Sequence, residues 1–387
     1  MQSAQAGAWN PEAGMEGLLR AVVFADGSWK ESWTRWRESA VLENLPPAAF
    51  RLLPLLYRRL RSEGVDDPWM GKLQGIYRHT WARNQILLRD AALATRALHD
   101  AGIPVMLLKG AAMILSQYRD AGLCPAVDMD ILVPDAQAAA AVRRLRAAGF
   151  SPTGRYEGDI PDRFLRIGFS HALRSPQGNE IDLHWHMLNI RSYAGADDSF
   201  WRRAVSADFS GRPVFLPSPT DLLLTTCLHG MCWSDTSSLR WVADACTLIR
   251  REAVDWERIA ACAGWRDVAL PLRLSLEYLR SALGIAVPEE TLRSLQAVPI
   301  TAADRRVLSA YAGRENLFRS TLRIWYRHAR FSRTKLPGIF ELLAGLPDFL
   351  ADYWAVSSIW KVPGTAWKKI ARRFMQHTAT PSRPSSR

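Results

Sequence analysis

Asp128 and Asp130 stand one residue apart in Asp128-Met129-Asp130-Ile131-Leu132-Val133, where charged and apolar side chains first alternate with period two. On a strand, that period puts both carboxylates on one face and Met129 and Ile131 on the other. Keeping both ionised on an otherwise apolar element requires cations. Oxygen donors on a rigid strand suit Mg²⁺ or Mn²⁺, which keep waters and take further ligands from substrate phosphates. In Glu180-Ile181-Asp182-Leu183-His184-Trp185-His186, strand geometry puts Asp182, His184 and His186 on one face. Upstream, Lys109-Gly110 precedes a helical stretch, a place where backbone N–H groups can approach a phosphate beside a lysine charge. Together these residues outline a phosphoryl-transfer site. Simpler readings stand beside it. A D-x-D pair also occurs as a solvated strand end, and His184 with His186 reads as a structural pair at a strand end. With Asp182, the two histidines would instead suit a Zn²⁺ hydrolase site.

Positioning these groups calls for a buried sheet with helices around it. Pro104 to Leu108 is a short apolar run consistent with a strand, followed by a helix over Ala111–Tyr118 and a strand over Asp128–Val133. Asp135 can cap an Ala-rich helix that Gly149 ends. Phe169–Ser175 and Glu180–His186 read as strands joined at Pro176-Gln177-Gly178. The order implies an α+β core, preceded by helices over Phe50–Leu60 and about Trp69–Ala101. Ser28 and Glu31 have capping-box spacing, and Trp29, Trp33 and Trp36 then form one helical seam. After Pro217, the run Ser218-Pro219-Thr220-Asp221 opens a helix through His229. Further helices are predicted over Leu239–Arg251, Trp256–Ala263, Leu270–Leu283 and Pro288–Leu295. Cys227, His229 and Cys232 read as a helix seam rather than a zinc site, because 227 points away from the other two. His229 and Asp244 could join two helices by a hydrogen bond, while Asp235 and Arg240 could be exposed.

The motifs Leu107-Leu108-Lys109-Gly110-Ala111-Ala112, Tyr118-Arg119-Asp120-Ala121-Gly122-Leu123, Asp128 to Pro134, and Glu180 to Trp185 resemble the uncharacterised bacterial nucleotidyltransferase family of the polymerase-β-type superfamily. Leu228-His229-Gly230 and Arg240-Trp241-Val242-Ala243-Asp244 extend the resemblance, which covers roughly residues 70 to 290. It implies a small mixed sheet with three carboxylates, two Mg²⁺ ions and an NTP donor. Asp128 and Asp130 would hold both metals. Asp182 would hold the catalytic metal and help an acceptor hydroxyl lose its proton, while Lys109 and Gly110 contact the donor phosphates. The acceptor is unspecified: a small molecule, sugar or peptide. The chain departs from the family pattern at Cys124 and Val127, where an arginine and a glycine are usual, and at Gly110-Ala111, where Gly-Ser or Gly-Gly is usual. Arg119 could replace the missing arginine. A nucleotide-binding or peptide-recruiting module without catalysis is the alternative within the same fold.

The implied organisation is an N-terminal helical region (1–102), the α+β core (103–216), a helical domain (217–318) and a basic C-terminal segment (319–387). The 387 residues carry a formal charge of +12. From Arg319 onward, thirteen basic residues face only Glu341, Asp348 and Asp352, so +10 belongs to that segment. A near-neutral body gives no ground for a nucleic-acid binder. Trp360 and Trp367 lie beside Lys361, Lys368, Lys369, Arg372 and Arg373. That interleaving reads as a peripheral-membrane or protein-docking element within 319–375, or as a solvated helix against the body. Residues 377–387 read as a disordered tail. Five cysteines without a pairing pattern, no secretory signal and no uncharged apolar run of spanning length point to the cytoplasm.

Overall fold

The computed structural model describes residues 14–153, 160, 164–165, 168–189, 194–232, 239–264, 266–311, 346–354, 356 and 358–378. Asp235 and the predicted tail beyond Thr378 lie outside them.

A seven-stranded mixed sheet forms the centre, in spatial order β3-β4-β5-β2-β1-β7-β6. The strands are β1 (Met106–Leu107), β2 (Met129–Leu132), β3 (Ser151–Pro152), β4 (Ser170–Arg174), β5 (Glu180–His184), β6 (Val205–Phe209) and β7 (Arg212–Leu216). With helices before and after the sheet, the fold is α+β, as the sequence predicts. β1 runs antiparallel to β2 and parallel to β7, while β2 runs parallel to β5. All four residues of β2 are buried, which fits a central strand covered on both faces.

The Met70–His99 helix spans thirty residues and ties separate parts of the sheet layer together. Its buried Asn84 donates to the carbonyls of Ala121 and Cys124, at 2.5 and 2.7 Å. Two turns further on, Asp90 accepts from Ser175 and Asn179 at the β4–β5 turn, at 2.5 and 2.8 Å. Near its C-terminal end, the carbonyl of Ala97 accepts from Arg144 Nε at 3.1 Å. A buried helix face thus fixes loop, hairpin and neighbouring helix at once.

Trp29, Trp33 and Trp36 form the expected buried seam, and the latter two meet Trp69 edge-on at 6.2 and 5.8 Å. The helix N-terminus differs from the prediction. The N–H of Ser28 is held by Asp26 Oδ1 at 3.0 Å, where the capping box implies Glu31 as its acceptor. The predicted helix over Ala111–Tyr118 begins earlier and in two modes, α over Lys109–Met113 and π over Ile114–Tyr118. The Pro104–Leu108 strand shrinks to β1, and helix formation near Phe50 splits into Pro47–Phe50 and Leu53–Ser62. The β6–β7 hairpin turns at Ser210-Gly211, both at positive φ, 55° and 77°.

The Pro219–Cys232 helix starts as predicted, with Ser218 Oγ accepting the N–H of Asp221 at 3.2 Å. Asp221 also takes a two-pronged contact from Arg203, at 2.9 and 3.0 Å, which fastens this helix to the end of the sheet layer. The Arg240–Arg251 helix packs beside it, with Trp241 crossing at Gly230. A Cβ on Gly230 would come within 2.1 Å of Trp241 Cγ, so the glycine is required by close approach.

Candidate active site

Strand register brings two of the three carboxylates together. Asp130 and Asp182 are direct partners in the parallel β2–β5 pair, so their side chains emerge side by side on one face. Lys109 leaves the end of β1 at φ 44°, a left-handed conformation uncommon for lysine, and its Nζ reaches Asp130 Oδ1 at 2.5 Å. His184, two residues beyond Asp182 on the same face, places Nε2 at 2.8 Å from that same oxygen and 3.0 Å from Asp182 Oδ2. Asp128 sits one residue before β2 and is exposed over the cleft. Gly110 follows Lys109 into the helix. A Cβ there would make only ordinary contacts of 3.8 Å with Ala126 and Cys124, so packing does not demand a glycine, and its absence leaves the backbone open toward the cleft.

The charges are strongly coupled. Burial favours neutral Asp130, but Lys109 and His184 outweigh it and hold the carboxyl below its usual range. Asp182 is lowered in the same way, burial being overcome chiefly by His184. Asp128 shifts upward, through desolvation against the cleft wall and then repulsion from Asp130. Burial opposes a charged His184, yet Asp182 and its bonds to both carboxylates raise it to about 9. Lys109 likewise stays charged, its desolvation offset by Asp130.

Asp130, Asp182 and His184 offer ligand atoms within 4.8 Å of one another. Asp130 and Asp182, with Asp128 at the rim, could hold a divalent cation; His184, held protonated by the same carboxylates, could join them only after losing its proton. Among the described residues His184 Nδ1 is buried without a hydrogen-bond partner, and the ring's other nitrogen meets the two carboxylates.

Residues 48–284, more than half of the chain, match the family described as uncharacterised nucleotidyltransferase. The chain belongs to this family. Among solved structures, an antigenic nucleotidyltransferase-like protein from Paracoccidioides brasiliensis is similar to it, at 16% identity and a TM-score of 0.34, over 57% of this chain and 97% of that one. No curated protein matches the sequence.

In this member of the family, two cavities meet at the carboxylates. The larger, about 310 Å³, includes Arg51, Lys109, Gly110, Asp128, Asp130 and Arg240 in its wall. The smaller, about 190 Å³, includes Leu108, Phe169, Asp182, His184, Met187 and Leu188. Lys109, Thr225 and His229 border both, which puts the Pro219–Cys232 helix along the shared wall. The half-buried His229 is pushed down to about 4, by burial first and by Lys109 and Arg51 after it, against the pull of Asp130.

Arg240 is buried, contrary to the expectation that it could be exposed. Its Nε donates to Asp244 at 2.8 Å and Nη1 to the carbonyl of Leu123 at 2.5 Å, while Tyr118 O–H donates to Asp244 at 2.5 Å. This network locks the loop before Asp128 onto the Arg240–Arg251 helix, and it gives Asp244 the partners Tyr118 and Arg240. Arg119 is exposed and absent from both cavity walls. Arg51, which sequence reading passed over, occupies the polar wall instead and donates to the carbonyl of Pro125 at 3.4 Å. Cys124 is a buried thiol pushed up to about 11 by burial, consistent with a packing role. His186 pairs with Asp197 at 2.9 Å, outside the Asp130–Asp182–His184 group. His184 is the group that the sequence placed on the right face yet read first as structural.

Proposed function

We propose that the protein moves a nucleoside monophosphate from an NTP to a hydroxyl-bearing acceptor, with Asp128, Asp130 and Asp182 as the catalytic carboxylates. The observation that carries this reading is the register of Asp130 against Asp182, with Lys109 bonded to Asp130 where the chain turns into a helix. Asp128, Asp130 and Asp182 would hold Mg²⁺ or Mn²⁺, with His184 beside them, and the bound ions would supply charge neutralisation at the α-phosphate and at the attacking and leaving oxygens. Lys109 and the Gly110 backbone orient the triphosphate in the larger cavity, where Arg51 and Arg240 add positive potential. Asp182, at the border of the smaller cavity, accepts the acceptor's proton. In this scheme the sheet and the Lys109–Met113 helix supply the chemistry, while Arg51 and the Pro219–Cys232 and Arg240–Arg251 helices wall the cleft.

The test is isothermal titration of NTP with and without Mg²⁺, together with pyrophosphate release from labelled NTPs in cell extract. Asp128→Ala with Asp130→Ala should abolish Mg²⁺-dependent binding. Unchanged binding by that variant would sink the assignment.

A further inference from the structure

A short 3₁₀ turn, Ile359–Lys361, runs directly into the Val362–Thr378 helix. Residues seven apart fall on one side of a helix. Val362 is buried, and Lys369, seven positions on, lies with its Nζ 6.0 Å from the ring centre of Trp354 in the preceding segment. That side is turned toward the preceding segment, with Val362 buried and Lys369 exposed at its edge. Trp360, in the 3₁₀ turn, and Trp367, on roughly the opposite side of the helix from Val362, are 86% and 72% exposed. They are the two most exposed large apolar side chains among the described residues. Exposed Pro363 and Gly364 lie between them, so the outward strip has no charge along its centre, while exposed Lys361 and Lys368 border it. After Asp352 the sequence has no acidic residue and seven Lys and Arg.

An outward apolar face is costly in water unless something covers it. The chemistry around this one selects its cover. Indole rings settle at the boundary between headgroups and acyl chains, and ammonium groups on flexible stems reach the headgroup anions above that level. A cationic border without carboxylates matches a negatively charged lipid surface and would repel a basic partner. No helix among the described residues is long and apolar enough to cross a membrane, so contact would be parallel to the surface.

We infer that the strip around Trp360 and Trp367 docks the protein onto the surface of anionic lipid bilayers. The experiment is co-sedimentation of the full chain with vesicles of phosphatidylcholine alone and with vesicles enriched in phosphatidylglycerol. Wild type should pellet with the anionic vesicles and be released by added salt. Trp360→Ser with Trp367→Ser should lower partitioning about tenfold or more, and Lys368→Glu about fivefold, with circular dichroism and Tm unchanged. The inference is overturned by wild type that stays in solution, by equal pelleting of the double tryptophan variant, or by equal binding to neutral vesicles. Light scattering without lipid adds a further check: a dimer that the double variant dissolves would assign the strip to a second copy instead.

Discussion

Asn84 Nδ2 lies 2.7 Å from the carbonyl oxygen of Cys124, so a helix that contributes no proposed catalytic side chain holds the chain four residues before Asp128. The same amide group serves Ala121, and Asn84 Oδ1 lies 3.4 Å from the N–H of Ala126. The loop is therefore shaped by side-chain chemistry where no strand ladder reaches it.

Asn84→Ala would leave two carbonyls without their donor. The expected loss is about 1–3 kcal/mol of stability, read from the midpoint of urea unfolding. Nucleotide binding should weaken as well, because Asp128 loses its fixed approach. Asn84→Asp should be at least as damaging, since it sets an acceptor against acceptors.

Gly230→Ala should destabilise by about 1–3 kcal/mol, because the new Cβ falls within 2.1 Å of Trp241. Adding Trp241→Leu should return part of that loss. Thermal unfolding of both single variants and the double variant measures the coupling, and strict additivity would contradict the close approach.

Lys109→Met separates two roles. Lysine neutralises Asp130, so its removal should raise the affinity of the nucleotide-free protein for Mn²⁺, which then meets less cationic competition. NTP binding should fall in the same variant. Mn²⁺ titration followed by electron paramagnetic resonance, with calorimetry of NTP binding, reads both signs.

His229 should make the fold sensitive to acid. Its folded value, about 4, lies below the unfolded value of 6.5, so the unfolded chain binds the proton more readily. The stabilisation is fully present above the unfolded value and is lost as pH falls toward the folded one. Its size is at most about 3 kcal/mol. His229→Gln should show a smaller fall in urea midpoint than wild type between roughly pH 7 and pH 4. Equal falls would remove His229 as the cause.

Much of this arrangement is readable from the chain, and the misses have physical reasons. Period-two alternation puts Asp128 and Asp130 on one face, and Asp182 with His184 on another, without any knowledge of pairing. It could not reveal that Asp130 and Asp182 are register partners, and that pairing turns His184 from a strand-end residue into a bridge between carboxylates. Arg51 and Arg240 are far apart in sequence, yet the carbonyl of Arg51 accepts from Arg240 at 3.2 Å, a contact no local pattern signals. The β6–β7 hairpin lies outside the strands that the sequence reading expects. Ser210-Gly211 is a turn dipeptide, but Pro213 within β7 weakens the strand pattern, and β6 is largely exposed.

The order of strands in space has a consequence for how the molecule is made. β1 pairs with β7 only after the intervening chain has been synthesised and folded back, and β2 must wait similarly for β5. Such distant closures come late relative to local helices. Refolding watched by far-ultraviolet dichroism and by Mn²⁺ uptake should show helix signal first and metal uptake second. A ribosome-bound chain truncated before β5 thus carries helices and Lys109, but not the paired carboxylates; the Asp130–Asp182 pair comes into being only when the sheet closes.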